Sequence, residues 1–292
     1  MATILKEIGF SPSLMQAGYK AYRKHVCTYL TYAEEEKTAV LGVTNLDRLN
    51  LVRISGVTGS GKTLILKALQ ARGEQILDLE DLAKHKGSIL GDYPDEPQPS
   101  QKAFETALYN ELERLDDSRV VWVENEGSKI GNIGVSRRLW EKMCASPRVH
   151  IRVDLQDRAD YILRDYKYLL ENNTSLDLPG LLKRLEKYAG AKKHDHWMKL
   201  LKEARHRELV LSLMEYYDAS YRVPTGTPLS DCVMPPGLLT DWQSLVHSEY
   251  ISQFITIGQE YKASLGDIRS LAKSTEDLQL APNEPTSVIE AQ

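Results

Sequence analysis

The residues with the clearest chemistry lie in the run GVTGSGKT, between Gly56 and Thr63. The spacing Gly-x4-Gly-Lys-Thr satisfies the Walker A pattern, in which glycines let backbone N–H groups surround a phosphate. Lys62 would neutralise terminal phosphate oxygens, and the Thr63 hydroxyl would bind Mg²⁺. The motif leaves open whether ATP or a phosphorylated substrate is bound. The predicted phosphate-binding residues are Gly56, Thr58, Gly59, Ser60, Gly61, Lys62 and Thr63.

Two carboxylates at the ends of predicted strands are candidates to complete this site. Glu124 ends the apolar run VVWVE, in the position of the acid that helps to hold Mg²⁺, so Thr63 and Glu124 are the predicted metal ligands. Asp78 ends the run QILD. Because ligands collect beyond the carboxyl ends of strands in open α/β sheets, Lys62, Asp78 and Glu124 are the predicted catalytic residues. The alternatives are a solvated Glu124 and an Asp78 that caps a helix.

Two loop regions, 77–92 with 96–105 following it and 124–135, carry polar and cationic groups beside glycines, after strand ends on the phosphate-loop side of the sheet. Glycine lets a backbone approach a ligand closely, which suggests substrate binding. Turn chemistry and a helix cap at Ser100 are the alternative. The predicted substrate-binding residues are His85, Gly87, Ser88, Gln98, Ser100, Gln101, Glu126, Ser128 and Lys129.

The elements that position these residues alternate along the chain. Strand patterns occur at 51–56, 75–80, 120–125 and 148–154, and helical patterns at 64–72, 101–115 and 137–143. Strands that are nearly all apolar predict a parallel sheet covered on both faces. The fold class is therefore α/β, with a P-loop NTPase-like parallel sheet flanked by helices. An appended α-helical subdomain follows Asp154, and ASYRV at 219–223 is a candidate returning strand.

Four parts of the chain follow from these patterns. They are an N-terminal helical linker segment (1–46), a P-loop α/β core (47–154), a helical subdomain (155–225) and a C-terminal extension (226–292). The polar, Pro-containing end at 274–292 is predicted to be disordered.

Composition restricts the function classes. The chain has 292 residues and a formal net charge of -4, which does not favour indiscriminate binding to nucleic acid. Its three cysteines have no CxxC spacing, which argues against a zinc site or a disulfide framework and fits the cytoplasm. No apolar run approaches the roughly 20 residues that span a bilayer, so no membrane association is expected.

Several sequence blocks, in order, closely resemble the tRNA 2-selenouridine synthase family over roughly residues 13 to 225. The phosphate loop alone would be weak evidence, because hundreds of families share it. The blocks are AGYKAYRKHV (17–26), GVTGSGKT (56–63), LDLEDLAKHKGS (77–88), QPSQKAFE (98–105), VWVENEGSKIG (121–131) and EYYDASYRV (215–223).

The resemblance implies a tRNA-modifying transferase that acts on 2-thiouridine at the wobble position of the anticodon. The family attaches a geranyl group from geranyl diphosphate and replaces sulfur with selenium from selenophosphate, so both are implied co-substrates, with Mg²⁺ as cofactor. Full-length members begin with a rhodanese-like domain, whereas this sequence starts just before the AGYKAYR block. A separate rhodanese-domain subunit is therefore an expected partner, and selenium transfer by this chain alone is not expected.

The resemblance also suggests tRNA contact in the helical subdomain. Nine basic residues occur between Lys183 and Arg207, and His194, His196 and Trp197 could stack on or bond to an anticodon base. The alternative is a solvated face whose Trp packs into the core. Two other function classes remain open from the residues: a small-molecule kinase or ATPase, and a non-catalytic tRNA-binding subunit.

Overall fold

The structure is a computed structural model that describes residues 6–9, 17–31, 44–170, 176–221 and 227–279. Its strands are β1 (Asn50–Ser55), β2 (Gln75–Leu77), β3 (Val120–Glu124), β4 (Lys129–Ile130), β5 (Ile133–Gly134), β6 (Arg148–Arg152) and β7 (Pro228–Val233). Five of them form one sheet in the order β2-β3-β1-β6-β7, and every neighbouring pair is parallel. Strands β4 and β5 form a small antiparallel hairpin.

Helices cover this sheet and extend beyond it. They are α1 (Gly18–Leu30), α2 (Asn45–Arg48), α3 (Lys62–Ala71), α4 (Leu79–Ala83), α5 (Gln101–Arg114), α6 (Arg137–Ala145), α7 (Leu155–Asp165), α8 (Lys167–Leu170), α9 (Leu178–Ala189), α10 (Ala191–Lys202), α11 (His206–Ser220), α12 (Trp242–His247) and α13 (Glu249–Gln279). A 3₁₀ turn spans Leu238–Thr240. No helix among the described residues combines the length and apolarity that crossing a membrane requires.

The sheet is buried on both faces, which confirms the predicted α/β fold with a parallel sheet flanked by helices. All residues of β1 and β3 are buried. Side chains alternate between faces along a strand, so Leu51 packs in one core with Phe104 of α5 and Val52 in a second core with Leu66 of α3. Such burial on both sides explains why these strands are almost continuously apolar.

The helical region 155–220 has a core of its own. Leucines of α9, α10 and α11 pack around Trp197, which is fully buried and donates from Nε1 to Ser212 Oγ at 3.0 Å. A buried indole cannot stack on an RNA base, so the prediction of base stacking by Trp197 is wrong. Trp197 lies on the helix α10, on the face that packs against the core.

Two predicted elements near the C-terminus differ from the structure. The returning strand is β7, not 219–223, because residues 219 and 220 end α11 and 222–226 lie outside the described residues. The segment predicted to be disordered, 274–292, overlaps α13, which continues to Gln279. Residues 280–292 lie outside the described residues.

Candidate active site

The phosphate loop connects the central strand β1 to α3. Gly59 and Gly61 both have φ of +76°, a conformation that favours glycine, and Gly61 precedes the first turn of α3. Lys62 bends back over the loop, with Nζ 3.4 Å from the Gly56 carbonyl oxygen. Ser60 is fully buried, and its N–H donates to Val57 O at 3.2 Å. A helix N-terminus and loop amides with an ammonium over them form a site for a phosphate.

Side chains of α7 and of the 3₁₀ turn also require glycine at these two positions. A Cβ on Gly61 would lie 2.2 Å from Leu239 Cδ2, and a Cβ on Gly59 would lie 2.7 Å from Ile162 Cδ1. The outer side of the loop is therefore in close contact with α7 and the 3₁₀ turn. The Walker A pattern by itself does not predict this packing constraint.

Three carboxylates meet beside the loop. Oxygens of Glu80, Glu124 and Glu126 lie within 4.8 Å of one another. Glu124 is 2% exposed, and its Oε1 has no hydrogen-bond partner among the residues that the structure describes. The Thr63 hydroxyl donates to Glu80 Oε2 at 3.4 Å. The arrangement concentrates negative charge next to the hydroxyl that the motif assigns to Mg²⁺.

Burial and mutual repulsion control the protonation of this cluster. Burial is the main cause that raises the pKa of Glu124 to about 8, and the neighbouring Glu126 adds to it. Burial and then repulsion from Glu124 raise the pKa of Glu80 in the same direction. The ammonium of Lys62 opposes both shifts. Three ionised carboxylates so close together are stable only with added positive charge.

The loop and the carboxylates form the polar end of a cavity of about 410 Å³. The rest of its lining is largely apolar and comes from the helical region, with Leu90 added by the loop after α4. Parallel strands present their carboxyl ends to one edge of the sheet, and the helices that follow β6 cover that edge. The apolar lining residues include Leu90, Ile162, Leu169, Leu170, Leu178, Leu209, Val210, Leu213 and Met214.

A loop that carries Lys86 crosses between the two ends. Lys86 Nζ donates to the backbone oxygen and to Oδ2 of Asp165, both at 2.8 Å, and lies 4.3 Å from the centre of the Tyr166 ring. The next residue, Gly87, has φ of +70°, and a Cβ there would lie 2.8 Å from Glu126 Oε2. The glycine therefore allows the loop to pass close to the carboxylates.

Many of the residues predicted from sequence come together in this cavity. Glu80, Lys86 and Asp165 also line it, although sequence reasoning did not select them. Glu80 could have been found from its place two residues after Asp78 in LDLE. Gly56 and Ser60 belong to the loop but do not line the cavity. The predicted residues that line it are Thr58, Gly59, Gly61, Lys62, Thr63, Gly87, Ser88, Glu124 and Glu126.

Two predicted site residues are helix caps instead. Asp78 Oδ1 accepts from Asp81 N at 2.8 Å and begins α4, and Ser100 Oγ accepts from Ala103 N at 3.3 Å and begins α5. Neither residue lines the cavity. At both positions the structure shows the helix cap that the sequence analysis gave as the alternative. Because α4 starts at once, the predicted strand at 75–80 ends at Leu77.

Gln98 and Gln101 hold loops together outside the cavity. Gln98 Nε2 donates to Ala83 O and Ile130 O, at 3.2 and 3.0 Å, and Gln101 binds both backbone groups of Gly134 at 2.8 Å. These amides join the loop before α5 to the β4–β5 hairpin. The structure thus gives these two residues a role in supporting the loops, and their contact with substrate stays a prediction.

His85, Ser128 and Lys129 also lie outside the cavity lining. His85 Nδ1 accepts from Gly87 N at 3.1 Å, and Nε2 lies 3.4 Å from Asp92 Oδ1. His85 thus shapes the loop that places Gly87. Ser128 and Lys129 are exposed at the start of the hairpin.

Five of the nine basic residues between Lys183 and Arg207 form ion pairs with acids. Arg184 contacts Asp92 and Arg207 contacts Asp160. Among the described residues, no ion pair forms at Lys187, Lys192, Lys193 or Lys202. Those in ion pairs are Lys183, Arg184, Lys199, Arg205 and Arg207. tRNA contact by this surface stays a prediction.

Comparison with known families gives the site its context. Residues 49–233 match the family model described as the tRNA 2-selenouridine synthase AAA domain. The chain belongs to the tRNA 2-selenouridine synthase family. The matched residues run from just before β1 to the end of β7, so they include the phosphate loop, the carboxylates and the helical wall of the cavity. The resemblance found in the sequence blocks is confirmed.

Curated relatives agree with this assignment. A tRNA 2-selenouridine synthase of Bdellovibrio bacteriovorus is 35% identical over 166 residues, 56% of this chain and 40% of that protein. One of Shewanella piezotolerans is 28% identical over 249 residues, 75% of this chain and 62% of that protein. One of Cupriavidus pinatubonensis is 32% identical over 162 residues, 55% of this chain and 40% of that protein. The chain thus spans less than two thirds of these relatives.

Proposed function

We propose that this chain binds a phosphorylated co-substrate in the cavity and transfers a group to 2-thiouridine at the wobble position of tRNA. One observation carries the proposal: a phosphate loop and an apolar wall line the same cavity. Family membership supplies the nucleic-acid substrate, because the relatives are named for tRNA 2-selenouridine synthesis.

Geranyl diphosphate fits the two ends of this cavity best. Its diphosphate matches the loop amides and Lys62, and its ten-carbon chain matches side chains such as Leu213 and Met214. ATP would place its ribose and base against a wall made mainly of aliphatic side chains, with hydroxyls only at Ser88 and a few tyrosines, so it matches this end less well than a prenyl chain does. Selenophosphate has no apolar part and would use the polar end alone. We propose that the replacement of sulfur by selenium requires a rhodanese-domain partner in addition to this chain.

Mg²⁺ fits the polar end of the cavity. Thr63, Glu124 and the two further carboxylates Glu80 and Glu126 offer hard oxygen ligands of the kind that Mg²⁺ prefers, and no described residue bonds to Glu124 Oε1. These residues would hold the ion against the phosphate. When bound, Mg²⁺ would neutralise charge on the departing diphosphate.

The chain's own residues would act mainly by positioning and by charge. The thiocarbonyl sulfur forms a bond to C1 of the geranyl group while the C1–O bond breaks, and the diphosphate leaves with the electron pair. The N3 proton of the base is released to water. Loop amides and Lys62 are placed to stabilise the negative charge that develops on the leaving oxygen. The apolar wall keeps water from the allylic carbon.

Mass analysis of tRNA tests this function. Incubation of 2-thiouridine tRNA with the chain, Mg²⁺ and geranyl diphosphate is expected to add one geranyl mass. Lys62→Ala removes the ammonium beside the phosphate and is expected to abolish the gain, whereas Lys102→Ala, an exposed lysine on α5, should leave it unchanged. Tight tRNA binding without a mass gain would indicate a non-catalytic subunit. Nucleotide turnover without tRNA affinity would indicate a kinase or ATPase.

A further inference from the structure

A buried arginine joins the phosphate loop to the helical region. Arg158, on α7, is 7% exposed. Its Nη1 donates to the carbonyl oxygen of Thr58 at 3.0 Å. The same guanidinium makes a two-pronged contact with Asp218 of α11, at 3.2 and 2.8 Å. The loop carbonyl therefore receives its hydrogen bond from a cation that a second helix holds in place.

The contact fixes the orientation of one peptide group. The bond between Thr58 and Gly59 is trans, so its carbonyl oxygen and its N–H point in opposite directions. Arg158 does not line the cavity, so the oxygen that it binds points away from the phosphate site, and the Gly59 N–H points to the other side of the peptide. Among the described residues, the Gly59 amide donates to no protein acceptor. Thr58 and Gly59 both line the cavity.

This orientation needs an external hold. Glycine at φ of +76° has little steric preference, so a peptide flip at Gly59 meets a low intrinsic barrier. If the peptide flipped, a carbonyl oxygen would face the phosphate and repel it. The contact of Ile162 with Gly59 restricts the backbone on the same side of the loop. Arg158 and Ile162 lie one helical turn apart on α7.

We propose that Arg158, held by Asp218, is a positioning residue that keeps the Gly59 amide turned toward the phosphate of the donor. This inference rests on the proposed function, since it assumes that a phosphate binds the loop. It also explains part of the EYYDASYRV block: Asp218 within it reaches the phosphate loop through Arg158. Both helices also line the apolar end, α7 through Ile162 and α11 through Leu213. The same two helices thus shape both ends of the cavity.

The orientation of the Gly59 amide can be measured directly. Carbonyl-¹³C threonine combined with ¹⁵N glycine selects glycines that follow threonine, and the sequence has two such pairs, Thr58–Gly59 and Thr225–Gly226. Thr225→Ser removes the second signal. Addition of inorganic diphosphate to this protein is expected to shift the Gly59 amide proton downfield, because the amide then donates to an anion.

Variants at the arginine separate positioning from folding. Arg158→Met is expected to weaken binding of inorganic diphosphate about tenfold and to reduce the Gly59 shift. The double variant Arg158→Met/Asp218→Leu removes the buried cation together with its half-buried carboxylate partner, so it leaves no unpaired charge and should regain stability while binding stays weak. Arg158→Lys keeps the charge without the two-pronged geometry and should recover only part of the affinity. Asp160→Asn, which breaks the exposed pair with Arg207 between the same helices, is the matched control.

Two outcomes count against the proposal in different ways. A folded double variant that binds diphosphate as tightly as the parent protein, with an unchanged Gly59 shift, would overturn the role of Arg158 alone. A parent protein that does not bind diphosphate would remove the phosphate site and the proposed function, and the role of Arg158 with them. Weak binding in the double variant together with parent-like thermal stability is the expected result.

Discussion

The protonation of Glu124 decides how the polar end of the cavity behaves. Its carboxylate is almost fully buried, one oxygen has no partner in the described part of the chain, and oxygens of two further glutamates lie within 4.8 Å. The raised pKa means that the folded chain binds this proton more tightly than the unfolded chain does. A cation that replaces the proton removes the same repulsion. The cluster therefore links stability, pH and divalent metal.

This linkage gives a prediction for the metal-free protein. Below the ordinary carboxyl pKa near 4.5 the cluster is protonated in both states and imposes no penalty. As pH rises toward the folded value of about 8, the folded state holds a proton that the unfolded state has lost, so the free energy of unfolding falls. The fall attributable to Glu124 is on the order of a few kcal/mol.

Thermal unfolding in a chelator between pH 5 and pH 8 measures the effect. Glu124→Gln is expected to flatten the decline, because glutamine does not ionise. Mg²⁺ should raise the melting temperature of the parent protein more at pH 8 than at pH 5, and less in the variant. A profile that is the same in both proteins, with and without Mg²⁺, would contradict a metal site at Glu124.

At the scale of elements, the short helix α4 determines which acid reaches the cavity. The run LDLE has a strand-like alternation, yet Asp78 caps a helix that starts at Leu79. The turn directs Glu80, not Asp78, to the phosphate loop. The strand propensity of LDLE is thus overridden by the cap of α4. The Asp78 side chain accepts from an N–H of the first turn that would otherwise have no partner in the helix.

Substitution of Asp78 tests this assignment. Asp78→Ala is expected to cost about 1 kcal/mol of stability through loss of the cap. Asp78→Asn should retain the cap, and with it stability and transfer activity. Urea unfolding and the tRNA mass assay provide the two measurements. An Asn variant that unfolds normally but has lost activity would show that the carboxylate has a chemical role.

At the scale of the whole molecule, the cavity unites two separate cores. The sheet supplies the loop for the phosphate, and the helices after β6 supply the apolar wall. Binding at the two ends of the cavity should therefore be measurable separately with two different ligands. Inorganic diphosphate uses the polar end alone, whereas geranyl diphosphate uses both.

Leu213→Ala is the variant that separates them. It shortens a side chain in the apolar wall and is expected to weaken binding of geranyl diphosphate on the order of tenfold. Binding of inorganic diphosphate should be unchanged, while Lys62→Ala should weaken both ligands. Calorimetric titration of the two ligands gives the comparison. Equal losses of affinity for both ligands in Leu213→Ala would mean that the variant disturbs the phosphate loop. They would contradict the placement of the geranyl group on the apolar wall.

Much of the fold could be predicted from the sequence, because its signals are local. Apolar runs gave the strands β1, β3 and β6, and the phosphate loop was readable from eight adjacent residues, 56–63. The sequence left two interpretations open where a short signal competed with another. Asp78 ends a predicted strand and Ser100 lies in a predicted binding loop, yet both are also good caps, and only the structure shows that they cap helices.

The sequence by itself determined a phosphate loop on a parallel sheet, since the strand, turn and helix that build it are contiguous and their residue types act through the backbone. Only the tertiary structure decided what faces that loop. Glu80, Arg158 and Leu213 are far apart along the chain, and their meeting depends on how helices pack across the edge of the sheet. Such long-range packing leaves no periodic trace in the local sequence, because each helix records only which of its faces is apolar.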